Sequence, residues 1–200
     1  MSTANPKRPD RRRQRHERSK LEIVEAAWAL ARRDGLAGLS LRAIARMVEM
    51  EPQSLYTYFS SKNDLYDVMF AQANQDLLER QRAVSETTTG SPPRQAFSKG
   101  VHTFVEFCAE DAARFSLMFQ RTIPGFIPTP ASMDVARRVL DDAVAALQQV
   151  GVTDAESIDL FLAVVTGLAS QQVTNDPGGR RWIDLIDRAI DAFLAQAPTT

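Results

Sequence analysis

The segment EPQSLYTYFSSKNDL, residues 51–65, gathers hydrogen-bonding side chains whose chemistry suits a nucleic acid. Glutamine can pair with the major-groove edge of adenine, and serine, threonine and tyrosine hydroxyls can bond bases or phosphates. In a helix that begins at Pro52, the side chains of Leu55, Tyr58 and Phe59 share the core face. The groups that then project outward are the candidate DNA contacts: Gln53, Ser54, Thr57 and the hydroxyl end of Tyr56.

Phe59 is predicted to fill the small core that such a short segment must build, because an aromatic ring buries a large apolar area. For Tyr58 two interpretations stay open. Its ring can simply pack in that core, or it can pack while its hydroxyl reaches a phosphate.

His102, Glu106 and Cys108 are the other residues whose types could do chemistry. On a helix His102 and Glu106 share a face, but Cys108 is six residues from His102 and points elsewhere. A nucleophile needs its base within hydrogen-bond reach, and two ligands are too few for a structural zinc site. The spacing therefore predicts no catalytic site, no metal site and no cofactor.

Helical signals predict the elements that position these groups. The sequence SKLE, starting at Ser19, reads as a capping box, and helical apolar spacing continues to a stop at Gly35. Ser40 caps a short second helix, a third helix runs from Pro52 to about Tyr58, and Ser61 with Asp64 caps a long fourth one. Three helices within residues 19–62 are typical of a helix-turn-helix domain.

The stretch IVEAAWALARRDGLAGLSLRAIARMVEMEPQSLYTYFSSKNDL resembles the DNA-binding domain of TetR-family transcriptional regulators. The resemblance implies a repressor-like homodimer whose third helix enters the major groove and whose C-terminal domain binds a small effector. It rests on Ile23, Ala26, Ala27, Gly35, Ser40, Ile44, Ala45, the LYTYF core, Ser61, Lys62 and Leu65. By the same resemblance the DNA-contacting residues are Ser40, Arg42, Gln53, Ser54, Tyr56, Thr57, Tyr58 and Lys62.

The chain departs from the family's pattern in the turn before the third helix, where Glu49-Met50-Glu51 replaces the usual Gly-Val-Ser. Loss of glycine costs strain if position 49 requires a left-handed backbone. Glu51 replaces a hydroxyl cap and brings negative charge near phosphates. The Arg-rich arm, with Arg11–Arg13 and Arg15, is a candidate to compensate by contacting phosphates or a minor groove. The alternative is that it only raises nonspecific affinity.

Charge is unevenly distributed: residues 1–62 hold 13 Lys and Arg against 7 Asp and Glu, although the whole chain has a net charge of −1. Residues 1–18 are predicted to be a disordered basic arm, which either meets a polyanion or is only a solvated tail. The alternative function that this arm leaves open is a helical protein-interaction module with no specific DNA site. Membrane docking is disfavoured, because Pro6 and Pro9 interrupt a stretch that has no apolar face.

Residues 63–200 are predicted to be a helical effector-binding and dimerisation domain, so the fold class is all-α. Aromatic residues and methionines suit an adaptable apolar pocket, although they also fill ordinary cores. His102 is the one polar anchor that the sequence offers. The predicted ligand-binding residues are His102, Phe104, Phe107, Cys108, Phe115, Met118, Phe119, Phe126 and Met133.

Residues 158–169, IDLFLAVVTGLA, are apolar on nearly every side, and the last helix also carries a wide apolar stripe. Such helices are buried on two sides, either in a monomer core or against a second copy of the chain. Dimerisation is the preferred interpretation, because a palindromic operator requires two-fold symmetry. The predicted interface residues are Phe161, Val164, Val165, Leu168, Trp182, Ile186, Ile190 and Phe193.

With a single cysteine, no apolar leader and no long apolar run, the sequence predicts a soluble, cytoplasmic protein. The leading hypothesis is a ligand-responsive regulator, a repressor that a mostly apolar effector releases from palindromic operator DNA. Effector binding would act through the fourth helix on the spacing of the two reading helices. Half-sites about 34 Å apart tolerate little change in that spacing.

Overall fold

The computed structural model describes residues 11–196, and within them every regular element is helical. The all-α prediction is therefore confirmed. The chain divides into two compact units between Met69 and Phe70. The helices are α1 (Arg11–Asp34), α2 (Leu41–Met47), α3 (Pro52–Leu55), α4 (Lys62–Thr87), α5 (Pro93–Glu110), α6 (Ala112–Phe119), α7 (Pro130–Gln149), α8 (Ala155–Asn175) and α9 (Ile186–Leu194).

The N-terminal unit packs α1, α2, α3 and the first turns of α4 around one small core. Leu55 and Phe59 are buried in it, as predicted, with Ile23 and Ile44 fully enclosed beside them. The hydroxyl of the buried Tyr66 donates to the carbonyl of Leu36 at 2.6 Å, which satisfies its one polar atom. This bond also ties α4 to the loop after α1.

The predicted start of α1 at Ser19 is wrong for the described residues. The helix already includes Arg11, the first described residue, so Ser19 lies inside it and does not cap. Arginine, glutamine and glutamate are good helix formers, and Arg18 pairs with Glu22 one turn later at 3.1 Å. Residues 11–18 are therefore helical rather than disordered, and residues 1–10 of the predicted arm lie outside the described residues.

The third helix is shorter than predicted. Only Pro52–Leu55 is α-helical, and residues 56–58 form a turn in which Tyr58 N–H donates to the Leu55 carbonyl. The hydroxyl of Thr57 donates to the Ser54 carbonyl at 2.7 Å, so a side chain competes with the backbone for the acceptor. The apolar spacing alone could not show this competition.

The turn between α2 and α3 has the left-handed residue that the departure from the family pattern suggested. Glu49 has φ 53°, the only positive φ outside glycine among the described residues. The Met50 N–H donates to the Ala45 carbonyl and the Glu49 N–H to the Arg46 carbonyl. This is a Schellman motif, whose residue after the cap must be left-handed. A side chain at that position costs about 1–2 kcal/mol.

Substitution of Glu49 by glycine is expected to stabilise the N-terminal unit by about 0.5–1 kcal/mol. The gain is the relieved strain, less the extra backbone entropy that glycine loses on folding. Urea unfolding followed by circular dichroism measures it. Glu49→Ala removes the same charge but keeps a Cβ in the left-handed region, so an equal gain in both variants would mean that charge, not strain, is responsible.

The C-terminal unit is a bundle of α5–α9 and the remainder of α4, with one apolar core. The ring of Phe161 on α8 lies between two others, 5.2 Å from Phe97 and 4.9 Å from Phe193 between centroids. Helix α8 is capped by Asp154, which accepts from the Ser157 N–H at 2.8 Å, and not by the hydroxyl-bearing Thr153 that directly precedes it. A carboxylate one residue later therefore takes the capping role.

Gln172 forms side-chain hydrogen bonds that hold the segment between α8 and α9 in place. Its side chain is fully buried and its amide nitrogen donates to the carbonyls of Asp176 and, at 3.1 Å, Gly179. Its amide oxygen accepts from the backbone N–H groups of Trp182 at 2.9 Å and Ile183 at 3.3 Å. One side chain thus satisfies several backbone groups that regular structure does not pair.

A candidate DNA-reading surface and an apolar cavity

Three of the predicted DNA-contacting side chains form an exposed set that we call the reading surface: Gln53, Ser54 and Tyr56. Tyr56 is 53% exposed, unusual for an aromatic side chain, while the adjacent Leu55 is fully buried. Leu55 and Phe59 thus anchor the short segment in the core and leave its polar groups outward. Within residues 11–196 no hydrogen bond occupies the side chain of Gln53 or the hydroxyl of Tyr56.

The other predicted contacts have partners within the N-terminal unit, apart from the exposed Arg42. Ser40 caps α2 by accepting from the Ala43 N–H at 3.2 Å, as expected for its cap position. The Lys62 ammonium lies 3.3 Å from the Ala37 carbonyl and above the Tyr66 ring. These interactions hold the start of α2 and connect the start of α4 to the loop after α1.

Tyr58 is half-buried, and its ring stacks on a residue that the sequence analysis did not single out. The ring of His16 on α1 lies parallel to it, with 4.6 Å between centroids and 17° between planes. Lys20, one turn later, lies above Phe59 with its ammonium 5.7 Å from the ring centroid. The sequence does contain a signal for this contact. The basic residues Arg12, His16 and Lys20 are four positions apart, a spacing that places them on one face of a helix.

The C-terminal unit encloses a cavity of about 1060 Å³, at the upper end of the range for small-molecule sites. Helices α4, α5, α6, α7 and α8 form its walls, and the loop of residues 120–129 closes one side. Five of the predicted ligand-binding residues line it: Phe104, Met118, Phe119, Phe126 and Met133.

The other four predicted ligand residues do not line the cavity. Phe107, Cys108 and Phe115 are buried in the helical core, where the Arg114 guanidinium covers the Phe107 ring at 3.6 Å. His102 lies on the opposite face of α5, its Nε2 3.1 Å from Asp187 of α9. Their assignment as ligand contacts is therefore revised, since sequence proximity did not reveal which helix face meets the cavity.

Two amide side chains on α4 add polarity to the cavity wall, and both were missed. The Nδ2 group of the buried Asn74 donates to the Phe70 carbonyl at 2.8 Å. The Oε1 atom of Gln81 is buried without a hydrogen-bond partner among the described residues. A buried unpaired amide is costly, so Gln81 is the better candidate to anchor a ligand. Both lie on a helix of mixed polarity, where no apolar cluster in the sequence marks a cavity wall.

His102 belongs to an ion-pair network between α5 and α9. Asp187 accepts hydrogen bonds from Ser98 and His102, which lower the pKa of its carboxyl group below the usual value. Arg94 pairs with Asp191 at 2.6 Å. These contacts connect α5 to α9, and none of them involves a residue that lines the cavity.

Cys108 is 1% exposed, and burial raises the pKa of its thiol well above the usual range. We expect the thiol to resist modification at pH 8, because only the thiolate reacts and the native packing blocks access. Reaction with a chromogenic disulfide reagent should proceed at once in denaturant and at least a hundred times more slowly in the folded protein. Similar rates in both conditions would contradict this burial.

The predicted dimer residues divide into two groups. Phe161, Val165, Ile186 and Ile190 are buried within a single chain, beyond the reach of a partner's side chains, so their assignment to the interface is corrected. Val164, Leu168, Trp182 and Phe193 are half-buried. The exposed face of α8 carries apolar and small residues that the sequence analysis did not separate from the core: Leu160, which is 57% exposed, with Ala163 and Gly167.

No group of His, Cys, Asp or Glu in the described part of the chain could hold a metal ion. Across residues 11–196, no helix combines the length and apolar character needed to cross a membrane.

Residues 23–69 match the family model of bacterial regulatory proteins, tetR family. The chain is 27% identical over 183 residues to HdnoR, a nicotine-responsive transcriptional repressor of Paenarthrobacter nicotinovorans, covering 86% of this chain and 92% of HdnoR. It is 32% identical over 146 residues to the transcriptional regulator Rv1816 of Mycobacterium tuberculosis, covering 70% of this chain. The chain spans 61% of the length of this mycobacterial relative.

The fold is also that of a TetR-family transcriptional regulator from Bordetella parapertussis, with a TM-score of 0.67 and 25% identity. The match covers 89% of this chain and 95% of the other. These relatives are regulators, in agreement with the prediction that the chain is not an enzyme.

Proposed function

Since the chain is a member of the TetR family of bacterial regulatory proteins, we propose that it is a repressor that binds a palindromic operator as a homodimer and is released by a small, mostly apolar effector. The observation that carries the proposal is the reading surface. Gln53, Ser54 and Tyr56 are exposed beside two fully anchored apolar residues, an arrangement that serves contact with another molecule. A repressor acts on the chromosome, so we place it in the cytoplasm.

The homodimer would use the outward face of α8. Leu160, Ala163, Val164 and Gly167 recur at helical spacing on that face, and Gly167 has no neighbour within 4 Å of the position a Cβ would occupy. A helix from a second copy could therefore approach the backbone closely there. Two-fold pairing would present two reading surfaces, as a palindromic operator requires.

The effector would occupy the cavity of the C-terminal unit. Its wall is mainly aromatic and aliphatic, which favours an apolar body, and the unpaired Oε1 of Gln81 favours a ligand with a hydrogen-bond donor. Helix α4 lines this cavity and also begins at Lys62, close to the reading surface in the sequence. Effector binding would shift the population of dimer states that hold the two reading surfaces at operator spacing.

Fluorescence anisotropy on duplex DNA tests the proposal. The chain is titrated, at two salt concentrations, into labelled duplex from upstream of its own gene and into an unrelated duplex of equal length. Tighter binding to the upstream duplex, with two chains per duplex, supports it. Equal weak binding to both would favour the alternative of a basic surface with no specific DNA site.

Substitution of Gly100 by leucine is expected to fill part of the cavity and weaken binding of an apolar probe at least tenfold. Gly100 lines the cavity, and a Cβ there would meet no atom within 4 Å. Leucine also has the better helix propensity, so the fold should not suffer. Titration with anilinonaphthalene sulfonate measures probe binding. Gly100→Ala is the matched control, and equal probe affinity in all three proteins would place the probe outside the cavity.

A further inference from the structure

We infer that the first turns of α1 form a rigid phosphate-binding ridge that continues the reading surface along the DNA backbone. The ridge is the face of α1 that carries Arg12, Arg13, His16 and Lys20. The inference rests on the proposed DNA-binding function. It replaces the expectation of a disordered arm for residues 11–18 with a helical element of defined position.

Two contacts fix the orientation of this face. His16 stacks on Tyr58, and Lys20 lies above Phe59, so both side chains meet the segment that follows α3 directly. Residues three and four positions apart share a helix face, which puts Arg12 and Arg13 one turn beyond His16 on the same side. The cations therefore lie next to the reading surface rather than around the helix at random.

The charge of this segment is unfavourable for an isolated helix. Residues 11–20 contain six Lys or Arg and one Glu, and the first turn of α1 within the described residues has no acidic side chain. The positive end of the helix dipole disfavours cations at that end. A DNA duplex bound along the ridge would neutralise these cations, and its binding would release counterions from the duplex.

Helical structure also decides which part of the duplex the ridge can meet. An α-helix with its side chains is about 10–12 Å wide, whereas the minor groove of B-DNA is about 6 Å wide. The described part of the basic segment cannot enter that groove as a helix. With the reading surface in the major groove, as proposed, the ridge would lie along the sugar–phosphate backbone, where it adds affinity for any sequence and no base discrimination.

The decisive measurement is the salt dependence of DNA affinity for the double variant Arg13→Gln/Lys20→Gln. Each lost phosphate contact lowers the steepness of log K against log[salt] by about one. We expect a slope shallower by about two per chain, with the preference for the upstream duplex over the unrelated duplex unchanged. Glutamine retains helix propensity, so the variants should fold.

Arg18→Gln/Arg33→Gln is the matched control. It removes the same charge from the same helix, but Arg18 pairs with Glu22 at 3.1 Å and Arg33 with Asp34 at 2.7 Å, away from the ridge. We expect its slope to equal that of the unmodified chain. Equal slopes for the two double variants would contradict the phosphate-binding role of the ridge but would leave the proposed function intact. Absence of any preference for the upstream duplex in the unmodified chain would instead contradict the proposed function.

His16 has a positioning role in this scheme, which two further variants test. His16→Phe keeps an aromatic ring against Tyr58 and is expected to keep affinity within about twofold. His16→Ala removes the stack and is expected to weaken binding to both duplexes about tenfold, because the ridge loses its register on the reading surface. If His16→Ala bound both duplexes as tightly as His16→Phe, the stacking of His16 on Tyr58 would not position the ridge.

Discussion

Simultaneous replacement of Gln53 and Tyr56 by alanine is expected to weaken binding to the upstream duplex roughly 100-fold, or about 3 kcal/mol, and to leave binding to an unrelated duplex nearly unchanged. Base contacts supply discrimination, whereas phosphate contacts supply affinity for any sequence. The specificity ratio should therefore collapse while the salt slope persists. Anisotropy titrations with both duplexes at one salt concentration measure the ratio.

The fold should survive this change, because both side chains are exposed and contribute little to the core. Thermal unfolding of the double variant should match that of the unmodified chain. Tyr58→Phe serves as the contrasting variant, since it keeps the stack on His16 and removes only a hydroxyl. If that hydroxyl bonds a phosphate, Tyr58→Phe should weaken binding to both duplexes equally. A double variant that still prefers the upstream duplex would show that other residues read the operator.

Replacement of Gln172 by leucine is expected to lower the free energy of unfolding of the C-terminal unit by about 3–5 kcal/mol. Leucine has a similar volume but leaves the N–H groups of Trp182 and Ile183 and the carbonyl of Gly179 without their partner. A backbone group left unpaired away from water costs about 1–3 kcal/mol, and the cost is smaller for the Gly179 carbonyl because Gly179 is exposed to water. Urea unfolding with tryptophan fluorescence detects the loss, because Trp182 adjoins the network.

Gln171→Leu is the control for this experiment. Gln171 is the preceding residue on the same helix, but it is exposed, and within residues 11–196 its side chain bonds only to Asn175. Its substitution should change stability by less than about 0.5 kcal/mol. If both variants were equally stable, the buried amide would not hold the chain between α8 and α9.

Most element boundaries were predictable, because they depend on local chemistry. Ser40, Ser61 and Thr129 cap the helices that follow them, as a short hydroxyl before an apolar repeat predicts. The left-handed position at Glu49 followed from comparison with the glycine that the family places there. The start of α1 was not predictable from capping residues, because good helix formers extend the helix to residues that precede Ser19 in the chain.

The residues of the cavity and of the interface were harder to predict. Apolar character identified Phe104 and Met118 as pocket residues, but it also selected Phe107 and Phe115, which the core encloses. The same ambiguity assigned Ile186 and Ile190 to an interface, although they are buried within one chain. An apolar side chain is equally suited to a core, a cavity wall or a partner, so its type cannot distinguish these places.

The sequence by itself determined the all-helical class, the helix-turn-helix pattern and the family, because periodicity, caps and a motif of closely spaced residues are local properties. Only the tertiary structure decided which faces of α4, α5 and α8 meet the cavity, the core and the solvent. It alone placed His16 on Tyr58, across forty-two positions of the chain, and Gln172 beneath the loop before α9. Such contacts depend on how helices cross, which no local pattern of residues encodes.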